Sequence, residues 1–365
     1  MKSILIKMKI NLQKHITGLG VLIMLLTMSA EILAQDPHFS QFYASPLNLN
    51  PALAGTSGGA YRVAVNYRDQ WQGALDNSLR TFGATGELKY KVGGLKNRPD
   101  YAAAGFMFFS DKVGDFDLNT NQIGFVGAYQ KSLSKDYDQY LGAGFQMSLI
   151  QKSINYEDLF FQDQFNSIDD FNLPSGELLP ANNFAFLDFI VGLNYYVAPQ
   201  KGKKFMAGFS YAHFTTPEVS FYQINENPNP ALTKKNALFA KITGYVSTSF
   251  RTRETMEIQP RALFLSQGPH TEINIGTNFK YKFIESEGKY FHFGPWLRMV
   301  NNEEGFGVES IVASVGFELK SFLIGLSYDH SIGDLITDRK GLNALEISII
   351  YLGDYDNGDN FCPTF

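Results

Sequence analysis

The sequence predicts an all-β chain: a transmembrane antiparallel β-barrel of about 14 strands, with an N-terminal Pro-rich extension. Three observations predict it. Apolar and polar residues alternate with period two, the segments run to ten residues or more, and the longest connections fall on one side. In Thr271–Phe283, Ile273, Ile275, Phe279, Tyr281 and Phe283 alternate with Glu272, Asn274, Asn278, Lys280 and Lys282. Successive strand side chains point to opposite faces, so the first set faces lipid and the second faces the lumen.

The same pattern places strands at 60–70, 79–90, 101–111, 120–131, 138–150, 185–197, 204–214, 237–250, 256–266, 271–283, 290–300, 306–319, 321–330 and 342–353. Their length suits a tilted membrane strand and exceeds the five or six residues usual in a soluble sandwich. The second face, rich in Gly, Ser, Gln, Asn and Lys, reads as a wet or loosely filled lumen. With the chain starting in the periplasm, the two very long connections, 151–184 and 215–236, both face outward, as in outer-membrane barrels. Aromatics near strand ends, among them Tyr61, Tyr67, Tyr90, Tyr101, Tyr129, Tyr196, Tyr281, Tyr290, Tyr328 and Tyr351, read as interfacial girdles.

Composition excludes other classes. Of 365 residues, 44% are hydrophobic and 18% charged, which is not a disordered composition. The single cysteine, Cys362, rules out an intramolecular disulfide and a Cys-rich zinc site. Lys2, Lys7, Lys9 and Lys14 precede an apolar run from Leu19 to Met28, so residues 1–34 read as a signal peptide cleaved after Ala34. Without them the chain has 27 basic and 35 acidic residues, a net charge near −8, which opposes nucleic-acid binding. The remaining chain divides into an extension packed on or in the barrel (35–59), the outer-membrane barrel (60–353) and a tail (354–365).

The extension is not strand-like. Pro37, Pro46 and Pro51 fix the backbone, while Phe39, Phe42, Tyr43, Leu47, Leu49 and Leu53 require burial. Beyond residue 34 the chain opens with Gln35-Asp36, Phe39-Ser40-Gln41-Phe42, Pro46-Leu47, Asn50-Pro51-Ala52, Ala54-Gly55, Tyr67-Arg68 and Gln70-Trp71. Gly325-Leu326-Ser327-Tyr328-Asp329, Ala344-Leu345-Glu346-Ile347-Ser348 and Cys362-Pro363-Thr364-Phe365 stand toward its end. On these residues the sequence resembles the PorP/SprF family of the type IX secretion system. The resemblance implies a non-enzymatic outer-membrane barrel of secretion and gliding. It would help export, and hold at the surface, adhesins or other secreted proteins bearing a matched C-terminal domain. The implied partners are such a cargo, other type IX secretion and gliding components, and outer-membrane lipid.

Chemistry leaves few candidates. The six His are scattered, and there is no Gly-x-Ser-x-Gly elbow or phosphate loop. Asp115, Asp117 and Asn119 begin a calcium loop, but Thr120 and Val126 stand where it needs Gly and Glu. No cofactor is expected. Arg68 and Trp71 read either as braces for the extension, by hydrogen bonds and cation–π contact, or as ordinary strand-end residues. The most informative connection is 153–184. Phe160, Phe161, Phe165, Phe171 and Phe184 interleave with acids including Asp169 and Asp170, without Lys or Arg. A loop with this many Phe either plugs the lumen or docks a partner; Phe160, Phe161, Phe165, Asp169, Asp170 and Phe171 are the candidate partner-binding residues. The rival function is an outer-membrane diffusion channel or hydrophobic-solute transporter; an outer-membrane hydrolase would need a motif the sequence lacks.

Overall fold

The computed structural model describes residues 36–73, 75, 77–95, 98–114, 117–157, 159–200, 202–221, 237–284, 288–302, 305–332 and 342–354. The signal peptide, Gln35, Asp115, Asp158, most of the 215–236 connection and the tail with Cys362 lie outside them. Residues 37–365 belong to one compact unit; of the other, residues 1–36, only Asp36 is described.

Fourteen strands close a barrel: β1 Tyr61–Gln70, β2 Leu79–Leu95, β3 Arg98–Val113, β4 Leu118–Ser132, β5 Asp138–Ser153, β6 Asn183–Gln200, β7 Lys203–Ala212, β8 Lys241–Arg253, β9 Met256–Gln267, β10 His270–Lys282, β11 Lys289–Asn302, β12 Gly305–Leu319, β13 Phe322–Ser331 and β14 Ala344–Gly353. Every strand pairs antiparallel with its sequence neighbour, and β1 pairs with β14 from Tyr61↔Gly353 to Gln70↔Ala344, leaving no open edge. The sequence periodicity therefore gives strand number and positions correctly, with ends shifted by a few residues.

Facing follows the alternation. Glu272, Asn274, Asn278 and Lys280 are buried toward the lumen, while Ile275 and Tyr281 are exposed outside. Around the barrel Phe125, Leu187, Phe317, Ile324 and Ile349 project outward in the same way. A closed apolar outer band of this kind is the surface of a protein whose solvent is lipid. The aromatic pattern needs one correction. Tyr61, Tyr351 and Phe322 do group on the outer face, with ring centroids 5.9 and 4.7 Å from Tyr351. Tyr101, Tyr196 and Tyr290, however, share the strand face of buried Ala103, Asn194 and Trp296, and so line the lumen. Tyr140 bridges two of them, its centroid 5.8 Å from Tyr101 and 6.5 Å from Tyr196. An alternating strand shows a tyrosine near its end from either face, so end position alone does not tell lipid from lumen.

Facing generates a test. Ile275 sits at the middle of β10, so Ile275→Arg is expected to cost about 2–4 kcal/mol of barrel stability. Glu254→Arg, in the exposed turn between β8 and β9, should cost under about 0.5 kcal/mol. Comparing the heat-modifiable, folded fraction of each variant on semi-native gels checks this; equal tolerance would mean the outer face is misassigned.

Candidate functional site

The segment 37–60 runs through the lumen and occupies part of it, where the inner-face residues alone suggest a wet or loosely filled interior. Its proline-rich sequence gives compact turns instead of strand: 3₁₀ turns at Phe42–Ala44 and Pro51–Leu53 flank the single helical turn Pro46–Leu49. Proline at the first position of two of these turns removes a donor that would lack a partner there. Asn50 caps the Pro51–Leu53 turn, its Oδ1 accepting from the Ala52 amide at 2.8 Å. Gly55 ends the turns with φ +77, a conformation most side chains resist. Phe39, Phe42, Leu47, Leu49 and Leu53 are all buried against the wall.

The segment descends from the outward end to the periplasmic end. Near the top, Ser40 lies among Arg68, Asp329 and Glu346; at the bottom, the Ala60 amide donates to Gly353 O at 2.8 Å. Between them, the wall supplies partners strand by strand. Phe42 meets Trp296 of β11 edge-on at 5.4 Å, Tyr43 stacks on the same indole at 5.8 Å, and the Arg261 guanidinium lies 4.6 Å from the Tyr43 ring. Asn50 Nδ2 donates to the carbonyls of Leu193 and Phe209, both at 3.0 Å. Gln130 Nε2 donates to the carbonyls of Ala52 and Ala54 at 2.7 and 2.9 Å. Arg62 holds Leu53 O at 3.3 Å and Glu87 at 2.9 Å. Gly144 and Gly192 leave room for this passage, since a Cβ at either would collide with Pro51–Ala52 or Asn50. Backbone groups of a turn-rich segment thus find the donors and acceptors that burial demands.

The upper contact is ionic. Glu346 Oε2 and Oε1 accept the Ser40 and Gln41 amides at 2.7 and 2.9 Å. Arg68 bridges Asp329 at 2.9 Å and Glu346 at 3.3 Å, and its Nη1 also donates to the Ser40 hydroxyl. Ser40 Oγ donates to Asp329 at 2.5 Å, and Gln41 is held by Ser327 and Ser348. These contacts span β1, β13 and β14, so the segment is fastened across the closing seam of the barrel.

Of the N-terminal motif residues, Phe39, Asn50, Pro51, Gly55 and Arg68 therefore meet in the lumen. Asp36 is half-buried, and Gln35 lies outside the described residues. Arg68 is a brace. Trp71 is not: its amide caps β1 by donating to Asn343 O at 2.8 Å, and its ring lines the outward mouth. Glu346, Asp329, Arg298, Glu87 and Gln130 carry no site role in the sequence reading, although Asp329 and Glu346 lie in stretches that carry the resemblance and place a charge on the inner face of the apolar strands β13 and β14.

The acidic connection, residues 154–182, does not fill the lumen. Phe165 and Phe171 form a bridge with rings 5.1 Å apart, and Phe160 packs on Phe171 at 5.9 Å. Asn166 Oδ1 accepts the amides of Ile168, Asp169 and Asp170, which turns the tip. Asp163 accepts from Ser175 and Gly176. The candidate partner residues therefore come together in a folded hairpin, except that Phe161 is held through its amide to Gln164. Phe160 remains 70% and Ile168 83% exposed, so the hairpin presents apolar surface outward. At the base, Phe221 of the second long connection meets Phe184 edge-on at 4.9 Å.

A closed, lipid-facing barrel with its own N-terminal segment fastened inside defines a plugged outer-membrane protein. The chain belongs to the PorP/SprF family of type IX secretion system membrane proteins, whose profile matches residues 32–351. It is thus a secretion-related barrel of the outer membrane, working among the components of that system. No curated protein matches it in sequence. Among solved structures, it is similar to the toluene transporter TodX of Pseudomonas putida, with 9% identity over 88% of this chain and 99% of that one and a TM-score of 0.49. The Ralstonia pickettii toluene transporter TbuX gives 9% identity, 85% and 94% coverage and a TM-score of 0.45.

The seam contact can be tested. Glu346→Ala leaves two buried amides and a share of the Arg68 charge without an acceptor, a loss of about 3–5 kcal/mol for a broken buried pair. The expected result is a lowered melting temperature and new protease cleavage within residues 37–60. Unchanged protection would show that the ionic contact does not hold the plug.

Proposed function

We propose that this barrel is a non-catalytic anchor: it assists export of a large secreted protein or adhesin and holds it at the cell surface through the outward hairpin 154–182. The observation that carries this reading is the combination of an occupied lumen with exposed aromatic rings outside. A diffusion channel needs an open path, and here residues 37–60 occupy it, with buried contacts from β1 round to β14. Clustered aromatics are the residue type that dominates interface energies, and Phe160, Phe165 and Phe171 form such a cluster. Asp169 and Asp170 beside them would steer a basic patch on the partner and make association salt-sensitive. The family supports a partner from the type IX pathway. A cargo carrying a matched C-terminal domain is the partner that the resemblance implies.

The experiment is Phe160→Ala with Phe161→Ala in the intact protein, measuring surface-retained cargo and single-channel conductance together. Retention should fall by at least tenfold, the effect of losing about 1.4 kcal/mol at an interface, while conductance stays at background. Retained cargo with a newly open pore would assign the hairpin to gating and overturn the anchor reading.

A further inference from the structure

A cavity of about 180 Å³ sits above the plug at the outward ends of β1, β11, β12, β13 and β14. We propose that it binds the cationic side chain, an arginine or lysine, of a polypeptide outside the cell. It is distinct from the hairpin 154–182 and does not depend on that reading.

The walls are built in two parts. Trp71, Val300 and Leu342 supply apolar surface suited to a methylene stem. Beneath them lie Glu309, Ser310 and Asp329, with Arg68 and Arg298. Both arginines are already ion-paired, although Arg298 Nε makes no hydrogen bond among the described residues. Arg68 lies between Asp329 and Glu346, and Arg298 contacts Asp329 at 3.0 Å, Glu272 at 3.6 Å and Glu309 at 3.7 Å. Four carboxylates therefore surround two guanidiniums, an excess that favours a further positive charge.

Unfilled bonding capacity points the same way. Ser310 Oγ and Asp329 Oδ1 have no hydrogen-bond partner among the described residues, and Glu309 Oε2 has only the 3.7 Å ionic contact with Arg298. Ser310 and Asp329 are each 3% exposed, so their acceptors are buried groups that line a cavity, with the more exposed Glu309 at its rim. An incoming guanidinium or ammonium carries several N–H donors and no acceptor, which matches them. The volume also fits, since a cavity near 150 Å³ holds a benzene ring.

Local backbone structure aims Glu309 at this point. The pairing of β11 with β12 slips between Arg298, opposite Ser310, and Met299, opposite Val308. Glu309 is the extra residue of that bulge, and its carboxylate faces Arg298 inside the barrel. Bulges turn a side chain out of the regular alternation, and here one adds an acid to the mouth. The plug does not need it, since among the described residues none of the hydrogen bonds to residues 37–60 comes from the Glu309 side chain.

The test uses the full-length barrel in detergent with N-acetyl-arginine methylamide as probe and the citrulline analogue, which keeps the shape without the charge, as control. Trp71 lines the cavity and reports by fluorescence, against the buried Trp296 as a constant background. Saturable quenching by the arginine probe and at least tenfold weaker quenching by citrulline is expected, the scale of a charge-assisted hydrogen bond. Glu309→Gln should weaken arginine binding about tenfold and Ser310→Ala less, both with unchanged heat-modifiable migration showing a folded barrel. Equal binding of citrulline, arginine binding unaffected by Glu309→Gln in the folded protein, or no saturable response would each overturn the proposal.

Discussion

A closed barrel with a polar inner face must satisfy that face, and this constraint governs the rest of the molecule. The outer face is served by lipid. The inner face carries Arg62, Glu87, Gln130, Arg298, Asp329 and Glu346, all buried. Water would satisfy these groups in a porin. In this protein a turn-rich segment meets several of them, presenting backbone amides to carboxylates and backbone carbonyls to amide and guanidinium side chains. The match works because turns, unlike strands, leave backbone groups unspent. Residues 37–60 have polar groups to offer, and the wall has the complementary ones. Proline and asparagine in the segment, and glycine in the wall at 144 and 192, serve the same end: a tight, irregular path held close to the strands.

That division explains what was legible in the sequence. The alternation in Thr271–Phe283 is local and periodic, so strand and facing could be read from it, and the barrel from the number and length of such segments. Arg68 could be suspected of bracing the extension because it sits in the same motif. Its partners could not be found: Glu346 meets Ser40 across 306 residues, and no local pattern announces a contact at that separation. The lumen looked wet because small and polar inner-face residues suit water and a packed plug equally well. The hairpin 154–182 invited two readings because aromatic content demands burial without naming the surface. Its rings pack partly on one another, which the sequence could not distinguish from either. The bulge at Glu309 was hidden for the opposite reason, since a single slipped residue is averaged away in a periodic pattern.

Closing the barrel and fastening the plug are one event in energetic terms. Pairing β1 with β14 is the costliest contact in the chain, because it joins strands separated by the whole barrel. Once that loop-closure entropy is spent, Arg68 on β1 lies beside Asp329 on β13 and Glu346 on β14 without further ordering. Ser40 and Gln41, tethered to β1 by the intervening turns, meet the same two carboxylates. The seam contacts therefore carry little additional entropic cost, and each half depends on the other. Without the segment, Glu346 and Asp329 would face each other with Arg68 as their shared guanidinium and no amides. Without the seam, the segment's amides would have no acceptor. The N-terminal segment is thus part of the wall's stability, and it brings Ser40 to the floor of the outward mouth, where the acids of β12, β13 and β14 converge.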